Sequence, residues 1–285
     1  VKGDSSISYL TRNQDIDIET TDLGWINLYR VGGIATIVVA VLIVTSVITF
    51  VVWPPPPPEA SVTDWFAIFQ RNPLAAMRHL DLMMLASLAS NVALIPTLLA
   101  VVMALRRTSQ TLVALAATFG LIGIATYFAS SRVFEMLALS QQYASATSEA
   151  QRAALIAAGQ SMLTTYLGAF ATPMPSASWN YQGTAFNVSF VFLSVACLML
   201  AVVMLRSKHF GRLIGTLGII GNVVEFGFFA PVVGVYLSLV GLVVLLIWHV
   251  LIAWALWLLA RRTSAMAERH QHTDPVIPPL WRLSD

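Results

Sequence analysis

Three side chains able to share protons or strong hydrogen bonds sit inside apolar runs of this chain. Glu225 lies in "GNVVEFGFFAPVVG", His249 in "LLIWHVLIAW" and Asn91 in "SNVALIP". A bare carboxylate is too costly in hydrocarbon, so an acid there is protonated, paired or reached by water. At ~1.5 Å per residue, Glu225 lies roughly 19 Å above the inner end of its run, His249 roughly 17 Å and Asn91 roughly 21 Å. These depths predict a polar layer near the bilayer midplane, with Glu225 and His249 hydrogen-bonded to each other. Ser87 is one turn from Asn91 and Asn222 one turn from Glu225, and Pro96 frees a backbone carbonyl that could join them. Such a layer can act as structural glue between helices. It can equally hold a ligand, proton or ion.

The spacing around Glu225 indicates which way it points. Gly211, Gly215, Gly218, Asn222 and Glu225 lie within roughly an 80° arc of one helical face. Small residues mark a close helix–helix approach, so Gly211, Gly215 and Gly218 are expected to pack against a neighbour and to turn Glu225 inward.

Other reactive groups are sparse. Arg78, His79 and Asp81 fall near the start of an apolar run, and His79 and Asp81 are too close in sequence to share a helix face. A local salt bridge is the expectation there. His270 and His272 sit in a polar tail without the acids or cysteines a metal needs. Cys197 is the only cysteine, which excludes an intramolecular disulfide. His249 is a conceivable axial ligand to a haem, but a lone apolar-face histidine usually has a plainer role. Asn187 forms a glycosylation triplet inside an apolar run. No phosphate-binding glycine loop or nucleophile elbow is present. No metal or cofactor is predicted, and bound lipid is expected.

The elements that must position these groups are apolar helices. The chain has 285 residues, 57% hydrophobic and 11% charged, whereas soluble domains carry about 25% charged residues. The formal net charge of +2 gives no reason to expect nucleic acid. Six runs reach the bilayer thickness without strand-like alternation: Val31–Trp53, Leu80–Leu105, Leu112–Ser130, Thr184–Leu205, Leu213–Val233 and Tyr236–Ala260. The reading is an all-α, six-span membrane domain over residues 31–262, with cytoplasmic tails at 1–30 and 263–285 that look poorly ordered. No cleavable leader is expected.

Basic residues set the orientation. Arg30, Arg106, Arg107, Arg206, Lys208, Arg212, Arg261 and Arg262 all fall on one side, so both termini are expected in the cytoplasm. Residues 54–79 and 131–183 then lie outside. "WPPPPPE" makes a short polyproline rod. "TDWFAIFQRN" is either an interfacial helix or a plug packed on the bundle. "RVFE" puts Arg132 and Glu135 on one face. "SEAQRAALIAAGQSMLTTYLG" opens on Ser148 and Gln151 at capping-box spacing, with Leu155, Met162 and Tyr166 recurring on one face. It is either a lid or a plain surface helix. "AVVMALRR" and "AVVMLRSK" end two spans alike and hint at a parallel duplication.

"SATSEAQRAALIAAGQSML", "GTAFNVSFVFLSVACLMLAVVMLRSKHFGRLIGTLGIIGN" and "PVVGVYLSLVGLVVLLIWHVLIAWALWLLARR" resemble the bacterial integral membrane proteins of the domain-of-unknown-function 4386 family. The resemblance runs from about Arg30 to Arg262 and is best after Ser145. It implies a multi-helix fold in a bacterial inner membrane and supplies no catalytic residue. Three roles stay open. The first is a non-catalytic accessory, scaffold or sensor-type subunit, with a membrane protein partner or a second copy of itself. The second is a small-solute transporter or channel using Asn91, Glu225 and His249, and the third is an intramembrane enzyme. A dry layer sealed by Leu and Phe would favour the first, and a cavity at Glu225 the second.

Overall fold

The structure is a computed structural model and describes residues 24–52, 60–73, 76, 84–167, 184–230 and 233–273. All regular structure among them is helical. In chain order the helices are α1 (Ile26–Val52), α2 (Val62–Arg71), α3 (Met84–Leu105), α4 (Gln110–Ser130), α5 (Val133–Ser145), α6 (Glu149–Leu167), α7 (Thr184–Met204), α8 (Gly211–Glu225) and α9 (Gly234–Thr273), with a 3₁₀ turn at Phe226–Phe229. Segments of α1, α4–α5, α7, α8 with its 3₁₀ turn, and α9 are long and apolar enough to cross a bilayer, and α3 adds the shorter apolar stretch Ala89–Leu105. The protein is an integral, multi-pass membrane protein. The polyproline run and the Arg78–His79–Asp81 cluster lie outside the described residues.

The apolar helices close a ring in sequence order. α1 packs on α3, α3 on α4, α4 on α7, α7 on α8, α8 on α9, and α9 returns to α1. Small residues permit these approaches. A Cβ on Gly123 of α4 would lie 3.1 Å from the Leu193 nitrogen and 3.2 Å from the Ser189 carbonyl of α7. Ser189 Oγ donates to the Gly123 carbonyl at 2.7 Å across the same seam. Between α1 and α3, the buried Thr36 and Thr97 hydroxyls share a 3.1 Å hydrogen bond. One end of the ring is basic. Arg106 lies 5.7 Å from the Trp25 ring and Arg261 5.3 Å from Trp257, which holds these cations beside interfacial indoles. The sequence reading ended the last span at Ala260. The helix instead continues to Thr273, and Arg30 reaches back to Ser264 at 3.1 Å.

At the opposite end α2, α5 and α6 form a cap with its own core of Val62, Trp65, Phe66, Phe69, Val133, Met136 and Leu163. The aromatic face of α2 is therefore packed against protein, which decides between the two expectations for that segment. Ser140 Oγ donates to the Phe66 carbonyl at 3.1 Å, and Gln70 Nε2 to the Ser140 carbonyl at 3.2 Å. Arg132 and Glu135 pair at 3.5 Å. Ser148 and Gln151 cap α6 as their spacing suggests, with Gln151 N–H donating to Ser148 Oγ at 3.2 Å. The packed face of α6 is rotated from the expected one. It runs through Ile156, Gly159, Met162 and Leu163, so that Met162 packs as expected, and Gly159 lets α2 come close: a Cβ there would meet Phe66 at 2.8 Å.

α2 begins with a capping box. Ser61 Oγ accepts from Asp64 N–H at 3.2 Å, and Asp64 Oδ2 accepts from Ser61 N–H at 2.8 Å. The Ser61 hydroxyl, and after it the Ser61 backbone N–H, hold the Asp64 carboxyl below its usual range. A carboxyl lowered in the folded state supports the cap above its ordinary value of about 3.9 and loses that support as pH falls through the lower folded value. Ser61→Ala is expected to speed amide exchange over the first turn of α2 at neutral pH and to leave the bundle unchanged, as read by hydrogen-exchange mass spectrometry. Acidification below about pH 4 should reproduce the effect in the unsubstituted protein.

Candidate functional site

The ring holds a half-open cavity of about 230 Å³ lined by residues from all six apolar helices. Half of its wall is Leu, Val, Ile and Phe, and its polar points are Ser90, Thr97, Ser194, Asn222, Glu225 and His249. On α7 the wall runs from Phe190 to Met204, roughly 20 Å at ~1.5 Å per residue, so the cavity is a slot far longer than it is wide. Towards the basic end the fully buried Leu105, Met204 and Leu256 belong to one continuous apolar core.

α8 enters the ring through its glycines. A Cβ on Gly215 would lie 2.8 Å from the Leu205 nitrogen and 2.9 Å from the Ala201 carbonyl, so α7 and α8 touch backbone to backbone. Gly218 fits between Ala201 and the Trp248 indole, where a Cβ would meet them at 2.7 and 2.6 Å. Gly211 does not share this role, contrary to the expected GxxxG pair. Nothing lies within 4 Å of its Cβ position, and its φ of +75° makes it the turn residue that starts α8.

Glu225 ends α8 and faces α9. Ser238 Oγ donates to Glu225 Oε1 at 2.9 Å, and Oε2 is buried with no hydrogen-bond partner. Gly241 makes room for the carboxyl: a Cβ there would be 2.6 Å from Oε2. The expected Glu225–His249 bond is not formed. His249 Nδ1 is 2.7 Å from the Leu245 carbonyl of its own helix. The physical reason is register. Gly218 faces Trp248, Gly221 faces Leu245 and Glu225 faces Gly241, so each step forward on α8 is a step back on α9. His249 then sits about 12 Å along α9 from the level of the carboxyl. The depth count failed because the two assumed inner ends are not level: in this register Leu213 lies opposite Ala253, about two turns short of Ala260.

The remaining polar residues divide. Asn222 lines the slot and donates from Nδ2 to the Gly218 carbonyl at 2.7 Å. Asn91 is buried, but its neighbour Ser90 is the residue on the slot wall. Ser87 is in the second turn of α3, and its side chain lies outside the described residues. Glu225, His249 and Asn222 thus share one cavity without forming one hydrogen-bonded network. Ser238 and Gly241 went unnoticed in the sequence, although a hydroxyl and a glycine three residues apart on one apolar helix are the signal that finds them. Thr97, Ser194 and Cys197 on the wall were legible only as small polar interruptions. The Trp248 Nε1 donor is also buried without a hydrogen-bond partner.

Beyond Glu225 the helix tightens into the 3₁₀ turn, and its phenylalanines close around α7. Phe190 lies 5.4 Å from Phe228, 5.5 Å from Phe229 and 6.3 Å from Phe226. Glu225 therefore marks the change from α-helix to 3₁₀ turn, with aromatic rings on its cap side and most of the slot on its basic side. Among the described residues no three His, Cys, Asp or Glu side chains are grouped so as to hold a metal ion.

A family model described as a domain of unknown function (DUF4386) matches residues 67–262. No curated protein and no solved structure matches the chain.

Proposed function

The chain belongs to the DUF4386 family, and on that premise we propose that it is a non-catalytic, sensor-type protein of a bacterial cytoplasmic membrane that holds a small, mostly apolar, single-chain molecule among six spans. A cavity at Glu225 is what the transport reading expects, and the observation that turns the slot of about 230 Å³ into a holding site is its closure towards the basic end by the buried Leu105, Met204 and Leu256. Helix bundles pack to crystal-like density and leave few voids larger than a water molecule. A scaffold alone would fill this volume with Leu and Phe. A long apolar slot with a few polar points instead suits a hydrocarbon chain with a polar head.

Support for the orientation comes from the basic end. Arg30, Arg107, Arg206, Lys208, Arg212, Arg261 and Arg262 are exposed there, and the positive-inside rule assigns that end, with both termini, to the cytoplasm. The cap then faces outward. It is the element through which a membrane protein partner or a second copy would read whether the slot is filled. The buried Leu105, Met204 and Leu256 stand against a path through to the basic end, which favours holding over conduction. A second reading, transport, draws on the cavity at Glu225, where α8 tightens into a 3₁₀ turn.

A diazirine-bearing dodecanol, photolysed with the protein in phosphatidylcholine nanodiscs, tests the slot. Labels are expected on wall residues such as Cys197, Leu200 and Leu245, and Ser194→Phe should reduce them several-fold by filling the space. Labels confined to lipid-facing residues such as Val191 and Val243 would end the proposal. Uptake of the same probe into sealed vesicles in a protein-dependent manner would move the assignment to transport.

A further inference from the structure

We propose that the molecule held in the slot carries a cationic, ammonium-type head seated against Glu225. The inference rests on the slot being a ligand site and names the chemical class it selects.

Four observations converge on that head. The first is unmet hydrogen-bonding capacity. Ser238 satisfies Oε1 at 2.9 Å, while Oε2 is buried without a hydrogen-bond partner. Buried polar atoms are nearly always partnered, and the carboxyl that carries this orphan belongs to a wall residue, packed against Gly241. The second is missing countercharge. The ionisable residues among the described lining residues are Glu225, His249 and Cys197, with no Lys or Arg. His249 is committed to the Leu245 carbonyl at 2.7 Å. It also lies about 12 Å away along α9. An ionised carboxylate is held in such a place when it is paired, and since no wall residue supplies the opposite charge, a cationic ligand head would supply it.

The third observation is the direction of α8. Its C-terminal end is Glu225. The 3₁₀ turn carries the helical backbone on to Phe229, and the partial negative charge of that end, about a turn from Glu225, disfavours an acid and favours a cation. An ammonium beside Glu225 is attracted by both. The fourth is the aromatic lip. Phe190 lines the slot and is backed by Phe226, Phe228 and Phe229, with ring centroids 5.4 to 6.3 Å away. Aromatic faces attract ammonium groups more than neutral heads of the same size.

The geometry also assigns the tail. Antiparallel packing puts Glu225 close to the level of Ser194 on α7, because Gly218 already faces Ala201. From Ser194 the wall continues to Met204, about 15 Å further at ~1.5 Å per residue. A single alkyl chain running from the carboxylate towards the basic end occupies that length. The favoured class is a single-chain alkylammonium amphiphile. An anionic head would meet a carboxylate and a helix C-terminus, and is rejected.

The test compares two diazirine probes of identical chain, dodecylamine and dodecanol, at equal mole fraction in phosphatidylcholine nanodiscs at neutral pH. In the unsubstituted protein the amine is expected to reach half-maximal labelling of α7 wall residues at about tenfold lower mole fraction, equivalent to ~1.4 kcal/mol. Glu225→Gln should erase that preference while the alcohol still labels, which certifies that the slot is intact. Glu225→Asp, which keeps the charge, should retain it. Equal labelling by the two probes, or an amine preference that survives Glu225→Gln, would overturn the cationic head and leave the slot assignment standing. Failure of both probes to label the wall would overturn the slot assignment itself. If Glu225→Gln also loses alcohol labelling, the comparison between probes in the unsubstituted protein decides alone.

Discussion

Gly215→Val is expected to lower the stability of the bundle sharply. A Cβ at this position would lie 2.8 Å from the Leu205 backbone nitrogen and 2.9 Å from the Ala201 carbonyl oxygen. Both atoms belong to the main chain of the neighbouring segment and cannot swing aside as a side-chain tip would. Relief requires moving α8 away from α7, which also opens the Gly218 contact with Ala201 and Trp248. Overpacking of this kind costs about 3 kcal/mol or more. Net stabilities of about 5–15 kcal/mol leave little margin for it. Size-exclusion profiles and thermal unfolding in nanodiscs read the outcome, and a monodisperse variant with an unchanged Tm would refute the backbone contact. Gly211→Ala provides the contrast. Nothing surrounds that position, so its cost comes only from the φ of +75° and amounts to about 1–2 kcal/mol. The two glycines, four residues apart and alike in sequence, should therefore differ sharply.

Phe66→Ala is expected to open the cap and spare the ring. Phe66 is fully buried, with a relative exposure of 0%. Its ring lies 5.2 Å from that of Tyr143, and its edge abuts Gly159. Removing a buried phenylalanine costs about 3–5 kcal/mol. The cap core is separate from the apolar core of the ring, so the loss should stay local. Hydrogen exchange over α2, α5 and α6 should rise by orders of magnitude while α7, α8 and α9 stay protected and the dodecanol probe still labels the slot. A uniform loss of protection in all helices would mean that cap and ring fold as one unit.

Both variants bear on how the slot is maintained. The α7–α8 contact places Glu225 on its wall, and the cap lies at the end of the ring at which the aromatic lip lies. Neither Gly215 nor Phe66 belongs to the described lining residues. Effects of these substitutions on labelling would therefore act through position, not through direct contact with a ligand.

Much of the architecture could be read from the residues alone. Helix type, the positions of the apolar runs and the basic end are properties of single segments, dictated by the thickness of a bilayer and by where Lys and Arg are tolerated. The Ser148–Gln151 cap and the inward turn of Gly215, Gly218 and Asn222 are equally local, because helical periodicity puts them on one face. Glu225 could be singled out for the same reason. An isolated acid in an apolar run stands out without any knowledge of its neighbours.

What only the tertiary structure decided is which residues of different helices meet. The register of α8 against α9 is set by the 3₁₀ turn after Glu225 and by how closely Gly218 and Gly221 admit Trp248 and Leu245. That register gives Glu225 to Ser238 and Gly241, and moves His249 about two turns away. The same is true of Thr36 with Thr97, of the α2 aromatics with α5 and α6, and of the slot, whose wall is drawn from six helices. Depth along one helix is a one-dimensional count. Contact between two helices also depends on where each backbone can approach the other, and that follows from side chains on both.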